Sequence, residues 1–225
     1  MPEKNRHQQF WSVGAAWEIG KERFMNDQHF FDYLKLKGSV GVLGNQSTYG
    51  VSGDYPSYPG LRSGTIVPFG TNLVTGALPA YKVNPDLRWE TVNAAEIGVE
   101  FNAFKNRLHF EANYYNKVTK DMMTYLVLGS LGLDDELKNG GEIKNWGEEL
   151  MATWTQKISN DFTVNIGANI TFMKNKVISV AEGVPGGILI RGSQNNNSAE
   201  ARTLPGQPIG SFFGYVVEGN LSEPA

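Results

Sequence analysis

The sequence predicts an all-β fold, an antiparallel segment of a transmembrane β-barrel with about six strands and long extracellular loops. Three observations lead there. Several runs alternate apolar and polar residues with period two. The links between runs alternate between short and long, as the turns and loops of outer-membrane barrels do. On the apolar phase, aromatic residues gather at strand ends: Trp11, Trp89, Tyr114, Trp146 and Phe172 at the long-loop end, and Trp17, Phe101, Trp154 and Phe162 at the short-turn end. Small or aliphatic residues fill the middle, so two aromatic girdles flank an apolar band, as on a lipid-facing wall. The strands run to about 10 residues, close to the ~9 to 11 that cross a bilayer at a tilt.

The clearest stretch is Asn84 to Met123. Ala95, Ile97, Val99, Phe101 and Ala103 share one parity, with Glu96, Gly98, Glu100 and Asn102 on the other. After the tight link Phe104 to Arg107, the apolar phase resumes at Leu108, Phe110, Ala112 and Tyr114 against His109, Glu111 and Asn113. Two alternating runs joined in this way form an antiparallel hairpin with one greasy and one polar face.

The other elements follow in chain order. Trp11, Val13, Ala15 and Trp17 mark a first strand ending near Gly20, and Lys21 to Asp32 holds one short helical turn. The second strand covers about Tyr33 to Leu43, with Leu34, Leu36 and Val40 opposite Lys35, Lys37 and Ser39. Gly44 to Val83 is rich in Gly, Pro, Ser and Tyr without a sustained period and is read as a long loop. The hairpin gives strands three and four, and Asn116 to Asn145 is a second long link. Strand five spans Trp146 to about Gln156, with Met151 breaking the alternation. A turn at Ser159, Asn160 and Asp161 leads to strand six, where Phe162, Val164, Ile166, Ala168, Ile170 and Phe172 alternate with Thr163, Asn165, Gly167, Asn169 and Thr171. Beyond Lys174 a third long loop is expected.

Composition narrows the function classes. A net charge of -3, from 20 basic and 23 acidic residues, offers no basic footprint for nucleic acid. The absence of cysteine removes disulfides, thiolate metal sites and cysteine nucleophiles. Aromatics at 12% and 26 glycines suit short strands and turns better than a helical bundle. Met1 to Gln9 lacks the apolar core of a secretory signal, and no run approaches the ~18 apolar residues of a spanning helix. Those facts alone describe a soluble cytoplasmic chain, unless the sequence is an internal piece of a longer one, which the strand pattern suggests.

No catalytic, metal or cofactor site is expected. Gly38, Gly41 and Gly44 have GxxGxxG spacing with no following helix, so turn glycines are favoured over a dinucleotide fingerprint. Asp134, Asp135 and Glu136, or Glu148 and Glu149, are adjacent residues that point to opposite faces on a strand, which gives no acid/base pair. His7, His29 and His109 lack ligand-like spacing.

Specific words in the sequence carry a resemblance. Asn84-Pro85-Asp86-Leu87-Arg88-Trp89-Glu90 resembles the NPxLxWE motif of the SusC/RagA family of TonB-linked outer-membrane transporters. In the same order, Phe10 to Trp17, Leu34 to Gly41 with Gly44-Asn45-Gln46, and Asn106-Arg107-Leu108 with Tyr114 to Lys117 and Thr119-Lys120-Asp121 are similar to family segments. So are Asn145, Gly147 and Glu149, and Pro208 to Tyr215. Trp146 and Glu148 depart from the family's pattern in bulk and charge.

The resemblance implies that residues 1–225 are an internal slice of the barrel domain, with the plug, the TonB-contacting segment and the closing strand outside it. It implies a place in the cell outer membrane among lipid, and import of oligosaccharides or, in some members, peptides. A SusD-like surface lipoprotein would cap the barrel, and TonB would supply energy through the plug. No enzymatic role follows. Glu96, Glu100, His109, Glu111, Asn113, Asn165 and Asn169 would face the lumen and its substrate. Tyr49, Tyr55, Tyr58 and Tyr81 would stack on sugar, pack on the lid or pack within their own loop. The alternative that the same alternation fits is a soluble β-sandwich carbohydrate-binding module using those tyrosines as its platform.

Overall fold

The computed structural model describes residues 1–47, 58, 61–79, 82–126, 136–181, 188–191 and 199–214. Its strands are β1 (Trp11–Trp17), β2 (Phe31–Asn45), β3 (Leu61–Phe69), β4 (Asn72–Pro79), β5 (Glu90–Ala103), β6 (Leu108–Lys120) and β7 (Met123–Leu126). After them come β8 (Glu136–Asn139), β9 (Gly141–Lys157), β10 (Thr163–Val180), β11 (Ile188–Arg191), β12 (Ala199–Thr203) and β13 (Ser211–Phe212). Six of these form one open sheet in the order β1-β2-β5-β6-β9-β10, every neighbour antiparallel. These six are the strands the alternation predicts.

Register fuses the six phases into two continuous faces, because residues directly opposite each other lie on the same side of a sheet. Val13 opposes Val40, which opposes Ala95; Val99 opposes Ala112, which opposes Leu150 and then Ile170. On the other side Lys35, Glu100 and Glu111 fall in one row. The apolar face packs on no second sheet among the described residues: Val13, Val40, Ile97 and Ile166 all remain at least half exposed. A sandwich would have buried them against one another, so the single wall rules out the sandwich arrangement for these strands.

Rings close the short-turn end of the apolar face. Phe31, Phe101 and Phe110 follow one another at centroid distances of 5.3 and 5.0 Å, while Phe30, Phe104 and Trp154 continue at 5.4 and 5.9 Å. A bulge between Phe31 and Tyr33 brings Phe31 opposite Ala103, onto the apolar face and into this band. The link Phe104 to Arg107 turns through three left-handed residues, Phe104, Lys105 and Asn106. The Asn106 amide donates to Asp32 Oδ2 at 2.8 Å, which holds that turn against the bulge.

Several boundaries differ from the sequence expectation. The strands β2, β5, β6, β9 and β10 are 13 to 18 residues long, because the hydrogen-bond ladder continues where the alternation of hydrophobicity stops. The expected loop Gly44 to Val83 contains the hairpin β3-β4, turned at Gly70 and Thr71. The expected link Asn116 to Asn145 holds the end of β6, the pair β7-β8 and the start of β9. Beyond Lys174, β10 continues to Val180, and β11, β12 and β13 form a small sheet. Instead of one helical turn, the segment after β1 makes two 3-10 turns, Ile19–Lys21 and Arg23–Met25.

Candidate functional site: the polar inner face

Period-two placement puts the polar residues of β2, β5, β6 and β9 on one face, where they pair across strands. Lys35 Nζ donates to Glu100 Oε2 at 3.0 Å, and Lys37 Nζ to Glu111 Oε1 at 2.5 Å. The Asn113 side-chain amide donates to the same Glu111 oxygen at 3.0 Å. Lower on this face, His109 Nδ1 and Asn102 Oδ1 are 2.8 Å apart, and Asn102 Nδ2 donates to Asn106 Oδ1 at 3.1 Å. One glycine makes the upper ladder possible: a Cβ at Gly98 would stand 2.1 Å from Asn113 Oδ1 and 2.9 Å from Lys37 Cε. Two motif fragments meet in a similar contact, since a Cβ at Gly147 would lie 2.8 Å from the Tyr115 hydroxyl.

Thus Glu100, Glu111, Asn113 and His109 share one face, with the carboxylates of Glu100 and Glu111 paired with lysines. Glu96 is exposed on the same face, opposite Ser39 and Tyr115. Asn165 and Asn169 are exposed on β10, opposite Thr155 and Met151. Tyr58 is exposed, whereas Tyr49, Tyr55 and Tyr81 lie outside the described residues. The lysines of the ladder were not among the expected site residues. Their signal was Lys35 and Lys37 on the polar parity of β2, facing carboxylates of matching parity in the next strands. The arrangement presents paired charges and amides suited to hydrogen bonding with a passing solute. Among the described residues no cluster of three or more acidic or histidine side chains could hold a metal.

The segment Asn84 to Glu90 has a different task. Leu87, 1% exposed, packs with Met123 and Leu137. Asn84 Oδ1 accepts from the Asp86 amide at 2.9 Å, and Asn84 Nδ2 donates to the Leu137 carbonyl at 3.2 Å. Glu90, buried, accepts from the Met123 amide at 2.7 Å and from Asn45 Nδ2 at 2.8 Å. Trp89 Nε1 donates to the Asn5 carbonyl at 3.0 Å. Lys4 donates to Asp86, and this hydrogen bond, with the lysine charge behind it, holds the Asp86 carboxyl below the usual carboxylate range. The motif ties the N-terminal segment, β2, β5 and the β7-β8 pair into one knot at the rim where the long links leave the sheet.

An open antiparallel wall, apolar on one face and charged on the other, with long links leaving at one end, is a segment of a transmembrane β-barrel. Residues 2–212 match the family described as TonB dependent receptor-like, beta-barrel, and the chain belongs to that family. It is 31% identical over 181 residues to one TonB-dependent receptor of Formosa agariphila, covering 78% of this chain and 17% of that one. It is 30% identical over 225 residues to a second receptor of that organism, covering 96% and 21%. With the TonB-dependent receptor SusC of Bacteroides thetaiotaomicron it shares 24% identity over 226 residues, covering 94% and 22%. The fold superposes on the RagAB peptide transporter with a TM-score of 0.77 at 25% identity, covering 93% of this chain and 22% of that one. The chain thus spans about a fifth of the length of these relatives, which are receptors and transporters.

Proposed function

We propose that this chain forms part of the wall of an outer-membrane transporter that imports oligosaccharides or peptides, driven through TonB. The observation that carries the reading is the two-faced sheet: an exposed apolar outer face suited to lipid, backed by the Lys35, Lys37, Glu100, Glu111 and Asn113 ladder. A wet, hydrogen-bonding lumen wall is the place where a polar solute passes. Glu96, Glu100, His109, Glu111 and Asn113 act as its lumenal contacts, with Asn165 and Asn169 further round the wall. A plug coupling to TonB would lie elsewhere in the complete receptor. Likeness to the RagAB peptide transporter supports peptides, and oligosaccharides follow from the family resemblance of the Asn84 to Glu90 motif and its companion segments. A SusD-like lipoprotein would cap the long-loop end. The β3-β4 hairpin there exposes Leu61, Ile66, Phe69, Leu73 and Val74, an apolar surface for such a lid. Tyr58, exposed ahead of this hairpin, would contact the solute or the lid, and Tyr55 lies outside the described residues.

The test is uptake of labelled oligosaccharide and peptide pools by cells carrying the complete receptor with Glu96→Ala and Glu111→Gln together. Uptake several-fold lower at unchanged surface abundance is expected. Uptake equal to wild type for both pools would remove these residues from the solute path.

A further inference from the structure

We propose that the inner face of this wall carries a subsite for a lysine or arginine side chain of a peptide solute, with Glu149 taking the cation and Met151 and Met173 the aliphatic stem. The inference rests on the transporter reading above and narrows its solute to basic peptides. Glu149 opposes Asn113 on one side and Thr171 on the other, in the row that also holds Lys37 and Gly98. It is exposed and forms no ion pair among the described residues. Met151 follows on the same face of β9, opposite Glu111 and Asn169. Met173 opposes Gly147 and so stands diagonal to Glu149 on β10, about 7 Å away between backbones. The carboxylate therefore lies between two thioethers. Met173 and Tyr115 each follow a residue of the upper girdle, Phe172 and Tyr114, so the subsite sits toward the long-loop end, which faces the outside.

Two features of the patch ask for an aliphatic cation. The first is apolar surface left open on a polar wall: Met173 is 73% exposed and Met151 37%, with Asn113, Thr171 and Asn169 around them. A solute that covers these side chains gains hydrophobic free energy, and the unbranched thioether adapts to stems of different shape. Gly147 adds no side chain between Tyr115 and Met173, and Tyr115 leans over it, its hydroxyl 2.8 Å from where a Cβ would stand. The second feature is charge. Lys35 and Lys37 are committed to Glu100 and Glu111, and Lys117 holds its ammonium 5.0 Å from the Tyr115 ring centroid. Glu149 keeps its negative charge open, and Glu96, exposed on the other side of Tyr115, adds a second carboxylate. An apolar stem that ends in a positive charge is the shape of a lysine or arginine side chain. A neutral or acidic saccharide offers neither part.

The experiment is uptake by cells carrying the complete receptor, offered labelled random pentapeptide pools whose central residue is fixed as lysine, norleucine or glutamate, beside a labelled oligosaccharide pool. Uptake in the order lysine, norleucine, glutamate is expected, because norleucine keeps the stem without the charge. Glu149→Gln should bring the lysine-to-norleucine ratio down about threefold, toward one, the effect of roughly one exposed ion pair. Met173→Ser should lower the lysine and norleucine pools together, by about threefold, through lost apolar contact. Heat-modifiable gel mobility and surface abundance report that each variant folds and reaches the membrane. A wild-type receptor without preference for the lysine pool, or a folded Glu149→Gln receptor with an unchanged ratio, would overturn the proposal. So would an equal loss of every pool in Glu149→Gln, which would mean that Glu149 holds another part of the receptor. Uptake of the oligosaccharide pool alone would overturn the subsite and leave the transporter reading standing. Uptake of no pool by the wild type would overturn that reading and the subsite with it.

Discussion

Parity decides what a substitution does at a given residue. Ile97 faces outward and is exposed, whereas Asn165 faces inward. In the complete barrel, arginine at Ile97 places a charge in hydrocarbon and should cost about 2 to 4 kcal/mol of folding free energy, and arginine at Asn165 much less. Denaturant unfolding in lipid vesicles measures both, and equal losses would contradict the assigned faces. Gly98 offers a second case, because any side chain there displaces Asn113 and Lys37. Gly98→Ala should cost about 1 to 3 kcal/mol by overpacking, measured in the same assay; an unchanged midpoint would mean that the ladder can move aside. Outward and inward identities were legible from parity alone, since a strand has only two sides. The Lys35–Glu100 and Lys37–Glu111 pairs were not, because pairing needs the register between strands distant in sequence, and register is set by turns and bulges such as that at Phe31.

Among the elements, the sequence signal stops where the membrane stops. Alternation marks a strand only between unlike solvents on its two faces, and it fades beyond Tyr115 in β6, before Trp146 in β9 and beyond Lys174 in β10. The backbone ladder continues past those points, to Lys120, from Gly141 and to Val180, because backbone groups need partners whether or not the side chains alternate. The hairpin β3-β4 was missed for the same reason: both faces meet solvent, Pro68 interrupts the run, and the turn glycine at Gly70 was one glycine among many nearby. Its exposed apolar residues yield a prediction for the element as a unit. Replacing residues 61–79 by a short Gly-Ser linker in the complete receptor should leave heat-modifiable barrel folding intact, since the hairpin pairs only with itself in the sheet topology. If the hairpin docks the proposed SusD-like lipoprotein, the deletion should reduce co-purification of that lipoprotein at least several-fold. Undiminished co-purification would show that the lid docks elsewhere on the long-loop end.

For the whole molecule, the governing fact is that apolar area and hydrogen-bonding edges are both left open. The fold class was legible because membrane crossing imposes strand length, girdles and loop asymmetry together, and few soluble folds satisfy all three. The solute was not, because specificity depends on lumenal geometry shared with the rest of the barrel. The 225-residue chain expressed alone should not be a stable water-soluble monomer. Its outward face exposes Trp11, Val13, Val40, Ile97, Ile166 and Phe172, all at 50% or more, and patches beyond a few hundred Å² drive association. Among the described residues the edges β1 and β10 each have a sheet neighbour on one side only, so free N–H and C=O groups along both recruit other chains. Detergent would cover the stripe and leave the edges open. Size-exclusion chromatography with thermal melting in detergent-free buffer should therefore show aggregates or higher oligomers without a cooperative melt. A sharp monomeric peak near 24.8 kDa that melts cooperatively would mean the apolar faces bury one another, and the wall reading would give way to a self-contained soluble fold.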